Sequence, residues 1–146
     1  MVKIKKENLT ELYKLISAEK SLFVPAKKAG QTNYALYGAE TEVDLDTLKT
    51  VKSAKELFFP QSETLYNVKT VDNKYTVTQA ELQAEEFVVF GIRGCDLKGI
   101  EVLDKVFLSE PVDTFYKARR EHGITVALCC NEPEESCFCK VFGVDC

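Results

Sequence analysis

Two uninterrupted apolar runs, "EFVVFGI" at residues 86–92 and "ITVALCC" at residues 124–130, constrain this chain more than any other feature. Each has strand length, and apolar runs without alternation are typical of strands buried on both faces of a parallel sheet. Between them lie "RGCDLKGIEVLDKVF" and "DTFYKARREHG", both patterned as helices. In the first, Leu97, Ile100, Leu103 and Phe107 fall on one face and Asp96 is the expected cap. The second is expected to start at an Asp113 cap and to stop at Gly123. Strand, helices, strand is a right-handed crossover joining parallel neighbours. Both strands then end at one sheet edge, where α/β sheets place their ligands.

That edge collects cysteines. Cys95 follows the first strand, Cys129 and Cys130 close the second, and Cys137 and Cys139 lie in the loop that leaves it. Period-two alternation puts Ile124, Val126, Leu128 and Cys130 on one face and Thr125, Ala127 and Cys129 on the other, so the vicinal cysteines cannot share a site without a bulge. Cys129 then reads as a small buried apolar residue. In an extended segment Cys137 and Cys139 share a face, displaced by roughly 6.6 Å. Tetrahedral zinc needs its sulfurs only about 3.8 Å apart, which an extended C-x-C reaches by curling in, whereas a cubane spreads its thiolates further. With no histidine near the cysteine cluster, all-thiolate ligation tilts the choice toward an iron–sulfur cluster and keeps zinc as an alternative. A thiol redox enzyme is another; Cys95 at a helix N-terminus is its one candidate, and it lacks a C-x-x-C partner.

At 146 residues the chain is one domain, long enough to bury a core without disulfides or a metal. No stretch approaches the roughly 18 apolar residues of a membrane span, and the N-terminus has no apolar secretion segment, so a cytoplasmic protein with no membrane partner is expected. There, clustered thiols serve as metal ligands or catalytic groups rather than as a disulfide framework. A net charge of −4 with scattered Lys and Arg leaves no footprint for nucleic acid. Upstream, Leu9, Leu12, Leu15 and Ile16 predict a helix, and "SLFVPAKK" and "TNYALYGAE" a hairpin turning near Gly30, Gln31 and Asn33. "DTLKTVKSAKELFF" suggests a further short helix ended by Pro60, and "LYNVKTVDNKYTVTQ" two strands joined at Asp72-Asn73. The fold class is therefore α/β: a small parallel βαβ unit bearing the cysteine edge, with an N-terminal helix and β-hairpin region beside it. His122 is assigned to its helix C-terminus, and Glu132, Glu134 and Glu135 to a solvated loop. Residues 117–120, "KARR", are first a solvated helix face and only second a docking patch for an acidic partner.

"PQSETL" (60–65), "GIRGCDLKGIEVLDKVF" (91–107) and "ALCCNEPEESCFCKVFG" (127–143) together resemble the N-terminal domain of a family of anaerobic iron–sulfur subunits. That family includes the A subunit of anaerobic sulfite reductase and the beta subunit of soluble nickel–iron sulfhydrogenases. The resemblance covers most of the chain after Ser21 and implies one [4Fe–4S] cluster on Cys95, Cys130, Cys137 and Cys139. It also implies a non-catalytic electron-transfer subunit of a cytoplasmic oxidoreductase, working between a flavin-bearing subunit and a catalytic subunit. Family members continue into a ferredoxin-like half with C-x2-C-x2-C-x3-C-P runs, and this sequence has none. Residues 1–146 are accordingly expected to be the N-terminal part of a longer protein, with the missing ferredoxin-like half as a further partner. Arg93, just before Cys95, is expected near the cluster's negative charge, and the motif gives Cys146 no role.

Overall fold

The computed structural model describes residues 3–83 and 85–144, which leaves Cys146 outside the described residues. Its main elements are α1 (Leu9–Glu19), β1 (Ser21–Lys28), β2 (Gln31–Leu36), β3 (Tyr66–Val71), β4 (Lys74–Gln79), β5 (Phe87–Ile92), α2 (Gly94–Phe107), α3 (Thr114–His122) and β6 (Gly123–Ala127). The two apolar runs are β5 and β6, and they pair in parallel as the crossover requires. The sheet runs β2-β1-β5-β6, so the fold is α/β. The β1–β2 hairpin does more than pack beside the parallel unit: β1 pairs β5 in parallel through Ser21–Phe23 and belongs to the same sheet.

The parallel ladder stops there for a covalent reason. Pro25, two residues on, has no N–H to donate, and the facing strand bulges at Gly91, whose φ is 82°. A Cβ at Gly91 would lie 3.2 Å from Pro25 Cδ and 3.3 Å from Leu45 Cδ2, so the crowding and the positive φ both select glycine. The bulge shifts the β5–β6 register between Phe90 and Ile92. Ile92 thereby joins Phe87 and Val89 on one face, packed with Ala54, Phe58, Ile100 and Tyr116 beneath α2 and α3. On the other face Leu22, Val24 and Val88 pack against Tyr13 of α1.

Local signals held in several places. Asp113 caps α3, accepting from Phe115 N at 3.0 Å and Tyr116 N at 2.9 Å. Asp72 and Asn73 turn the β3–β4 hairpin with φ of 50° and 59°, the left-handed pair that two-residue hairpins favour. His122 Nδ1 lies 2.8 Å from Ala118 O, at the helix end to which it is assigned. Arg119 pairs with Glu63 and Arg120 with Asp104, which commits both to intramolecular contacts.

Other expectations need correction. Leu15 is 70% exposed; Tyr13 takes the inward position on α1, its ring edge-on to Phe90 with centroids 5.0 Å apart. The helix expected after residue 45 shrinks to one 3₁₀ turn, Ala54–Leu57, because Asp44 holds the preceding chain in a loop. Its carboxylate accepts from the Thr32 and Thr47 hydroxyls (2.7 and 2.6 Å) and from the backbone N–H groups of Asp46 and Thr47, both at 3.1 Å. Such side-chain bonds to nearby backbone compete directly with helix formation.

Candidate metal centre

Strand β5 passes to α2 through Arg93, which occupies the N-cap position, so Cys95 is the second helical residue. Asp96 is not the cap. It lies within the first turn, and its Oδ1 accepts from Ser53 Oγ at 2.7 Å and Lys55 Nζ at 2.5 Å, tying α2 to the 3₁₀ turn.

Strand β6 ends at Ala127, before the doubled cysteine. Leu128 N still donates to Ile92 O at 2.8 Å, and then the chain leaves the sheet. Cys129 is therefore exposed rather than a buried apolar filler. Alternation belongs to a paired strand, and pairing has already stopped. Cys137 and Cys139 are not in an extended segment either. Cys137 N donates to Glu134 O at 2.9 Å, a 3₁₀ turn spans Cys139–Phe142, and Gly143 at φ 64° lets Val144 N return to Cys139 O at 3.1 Å. Consecutive turns thus replace the straight spacing of roughly 6.6 Å expected of two strand residues.

These turns bring distant thiols together. Cys95, Cys137 and Cys139 line one cavity of about 430 Å³, walled by Val102, Phe138 and Phe142. Lys49, Lys55 and Lys98 also line it, and Lys49 pairs at 2.7 Å with Glu134, one of the three loop glutamates. A larger hollow of about 550 Å³, lined by Lys20, Tyr37 and Glu86 among others, has no cysteine among its described lining residues. Cys130 does not line the thiol cavity, but its Sγ lies 4.0 Å from Arg93 Nη1. Cys95, Cys129, Cys130, Cys137 and Cys139 are all free thiols.

Electrostatics ties the four expected ligands into one neighbourhood. Desolvation pushes the Cys95 thiol up, and the charges of Asp96, Cys139 and Cys130 add to it. A raised thiol is the reverse of what an attacking thiolate needs, which counts against a thiol redox enzyme. Lys49 is pushed up first by its bond to Glu134 and then by the charges of Cys137 and Cys95. Among the described residues, no three Cys, His, Asp or Glu side chains form a group that could hold one metal ion. Cys95, Cys137 and Cys139 line a space instead of converging on a point. That donor chemistry fits a polynuclear thiolate-bound cluster: soft ligands, an apolar wall and nearby positive charge.

The chain is similar to the beta subunit of a sulfhydrogenase. The chain is 30% identical over 144 residues to Sulfhydrogenase 2 subunit beta of Pyrococcus furiosus, which is 99% of this chain and 41% of that protein. The chain thus spans about two fifths of the length of the curated relative it matches. No family model matches, and no solved structure matches. The likeness supports the sulfhydrogenase side of the family resemblance and says nothing of sulfite reductase. Among the described residues no helix is long and apolar enough to cross a membrane.

Some residues of the site had no sequence signal. Ser53 and Lys55 reach Asp96 across more than forty residues, and the carbonyls of Leu45 and Thr47 meet Arg93. Asp44 underlies that last contact. Hydrogen bonds from Thr47, then Thr32, lower its carboxyl from 3.8 to about 2. A depressed folded-state value gives stability that is complete above the ordinary carboxylate range and is lost as pH falls through about 2. Asp44→Ala should therefore destabilise the chain at neutral pH by on the order of 2 kcal/mol. The gap between variant and wild type should close as pH falls from about 3.8 to about 2. Urea denaturation across that range reads it, and a pH-independent gap would show that the carboxylate charge plays no part.

Proposed function

We propose that this chain is the cluster-binding, N-terminal part of an electron-transfer subunit of sulfhydrogenase type, holding one [4Fe–4S] cluster through Cys95, Cys130, Cys137 and Cys139. The observation that carries it is the convergence of Cys95 with Cys137 and Cys139 on one apolar-walled cavity, with Cys130 Sγ 4.0 Å from Arg93, which leads into the helix carrying Cys95. The named relative supports the oxidoreductase setting. When bound, the cluster would supply one-electron transfer and no bond-making step. The chain's own residues would fix its ligands, keep water away and set the charge around it. Cys95 is held by the helix start and by Asp96's bonds to Ser53 and Lys55, while Val102, Phe138 and Phe142 line the cavity. The full protein would continue into a ferredoxin-like half and act in the cytoplasm between flavin-bearing and catalytic subunits.

Anaerobic reconstitution should give a brown protein with about four irons and as many sulfides per chain, bleaching in air. One zinc per chain with no sulfide would replace the cluster by a colourless structural zinc site.

A further inference from the structure

Arg93 is 8% exposed, yet among the described residues no carboxylate lies within ion-pair distance of it. Its partners are backbone carbonyls. Nη2 donates to Leu45 O at 2.6 Å and Thr47 O at 2.9 Å, and Nη1 donates to Cys129 O at 3.2 Å. Carbonyl dipoles fix a guanidinium in place but leave its formal charge uncompensated, and a buried charge without a counter-charge is costly. Cys130 Sγ is the side-chain atom that faces it, 4.0 Å from Nη1.

Resting on the cluster reading above, we propose that Arg93 is a positioning residue and the built-in counter-charge of the thiolate site. Three segments converge on it: the loop organised by Asp44, the start of α2 and the loop carrying Cys129 and Cys130. Its bonds hold the Cys130 loop against the helix that carries Cys95. Its charge opposes the net negative charge of a thiolate-bound cluster, and does so most strongly after reduction adds an electron. Arginine suits both tasks, since its planar fork serves several acceptors at once and stays protonated.

Arg93→Lys keeps the charge and loses the fork; Arg93→Gln loses both. The full chain and both variants are reconstituted anaerobically, then compared for iron and sulfide, for midpoint potential by potentiometry, and for melting temperature without the cluster. Both variants should melt lower than wild type, because both lose carbonyl bonds. Arg93→Gln should disfavour the reduced state at least tenfold, a shift of about 59 mV to more negative potential for a one-electron couple. Arg93→Lys should stay closer to wild type in potential. Should Arg93→Gln hold no iron, retention of iron by Arg93→Lys supports the same conclusion. Equal potentials in wild type and Arg93→Gln, equal shifts in both variants, or loss of iron from both alike would make Arg93 a clamp and overturn its electrostatic role. Wild type that takes up neither iron nor sulfide would instead overturn the cluster reading, and this inference with it.

Discussion

Cys130→Ala should lose most of its iron after reconstitution, while Cys129→Ala keeps the full complement. The two residues are adjacent and of one type, so the comparison isolates placement. Cys129 is exposed, and its backbone carbonyl, not its thiol, is what Arg93 engages. Truncating its side chain leaves that carbonyl in place, and the cost in stability should lie within about 0.5 kcal/mol, as for ordinary surface substitutions. Cys130 is half-buried, with Sγ facing the guanidinium of the residue that leads into the helix carrying Cys95. Removing that thiol should leave a three-cysteine site holding less than roughly half of the wild-type iron, because [4Fe–4S] cubanes are normally held by four thiolates. Iron per chain after identical reconstitution decides it. Full iron in Cys130→Ala with loss in Cys129→Ala would move the fourth ligand to Cys129, and equal loss in both would mean that the loop rearranges to use either.

The features visible in the sequence are those whose causes are local. The first apolar run, the Asp113 cap and the Asp72-Asn73 turn each depend on neighbours a few residues away, and each is where its pattern places it. The parallel β5–β6 pair follows from chain handedness once the intervening helices are recognised. What stayed hidden depends on residues far apart. Nothing near Pro25 reveals that it will face Gly91, or that the resulting bulge will turn Ile92 inward. Asp96 looks like a cap because caps are local, and it is drawn instead to Lys55 and Ser53. The cysteine edge was legible as a region through Cys95 and the loop beyond β6. Its detailed facing was not, since β6 unpairs after Ala127 and period-two alternation ends with it.

Gly123→Ala should be the most destabilising alanine substitution at a glycine of this chain, about 3 kcal/mol or more, as severe overpacking of a closed core demands. The glycine falls where helix-ending signals place it, but for another reason. Its φ of −89° and ψ of 115° suit any residue, so backbone freedom does not explain it. Space does: a Cβ there would sit 2.3 Å from Phe58 Cε1, 2.7 Å from Phe87 Cζ and 3.0 Å from the Arg119 carbonyl. Phe58 is fully buried and Phe87 nearly so, both within the cluster that includes Ile100 and Tyr116, so neither ring has room to withdraw. Gly143→Ala is the contrast, with nothing within 4 Å and a φ of 64°, where only backbone strain of about 1 kcal/mol opposes the change. Denaturant midpoints should separate the two variants clearly, and Phe58→Leu added to Gly123→Ala should recover part of the loss by giving the methyl room. Equal midpoints for Gly123→Ala and Gly143→Ala would mean that the rings yield. Gly123 also pairs with Phe87 at the start of β6, so displacement there would travel along the strand to the Leu128–Ile92 bond and the cysteines beyond it. Weaker iron uptake by Gly123→Ala under conditions where the protein remains folded would therefore connect core packing at one end of β6 to the thiolate site at the other.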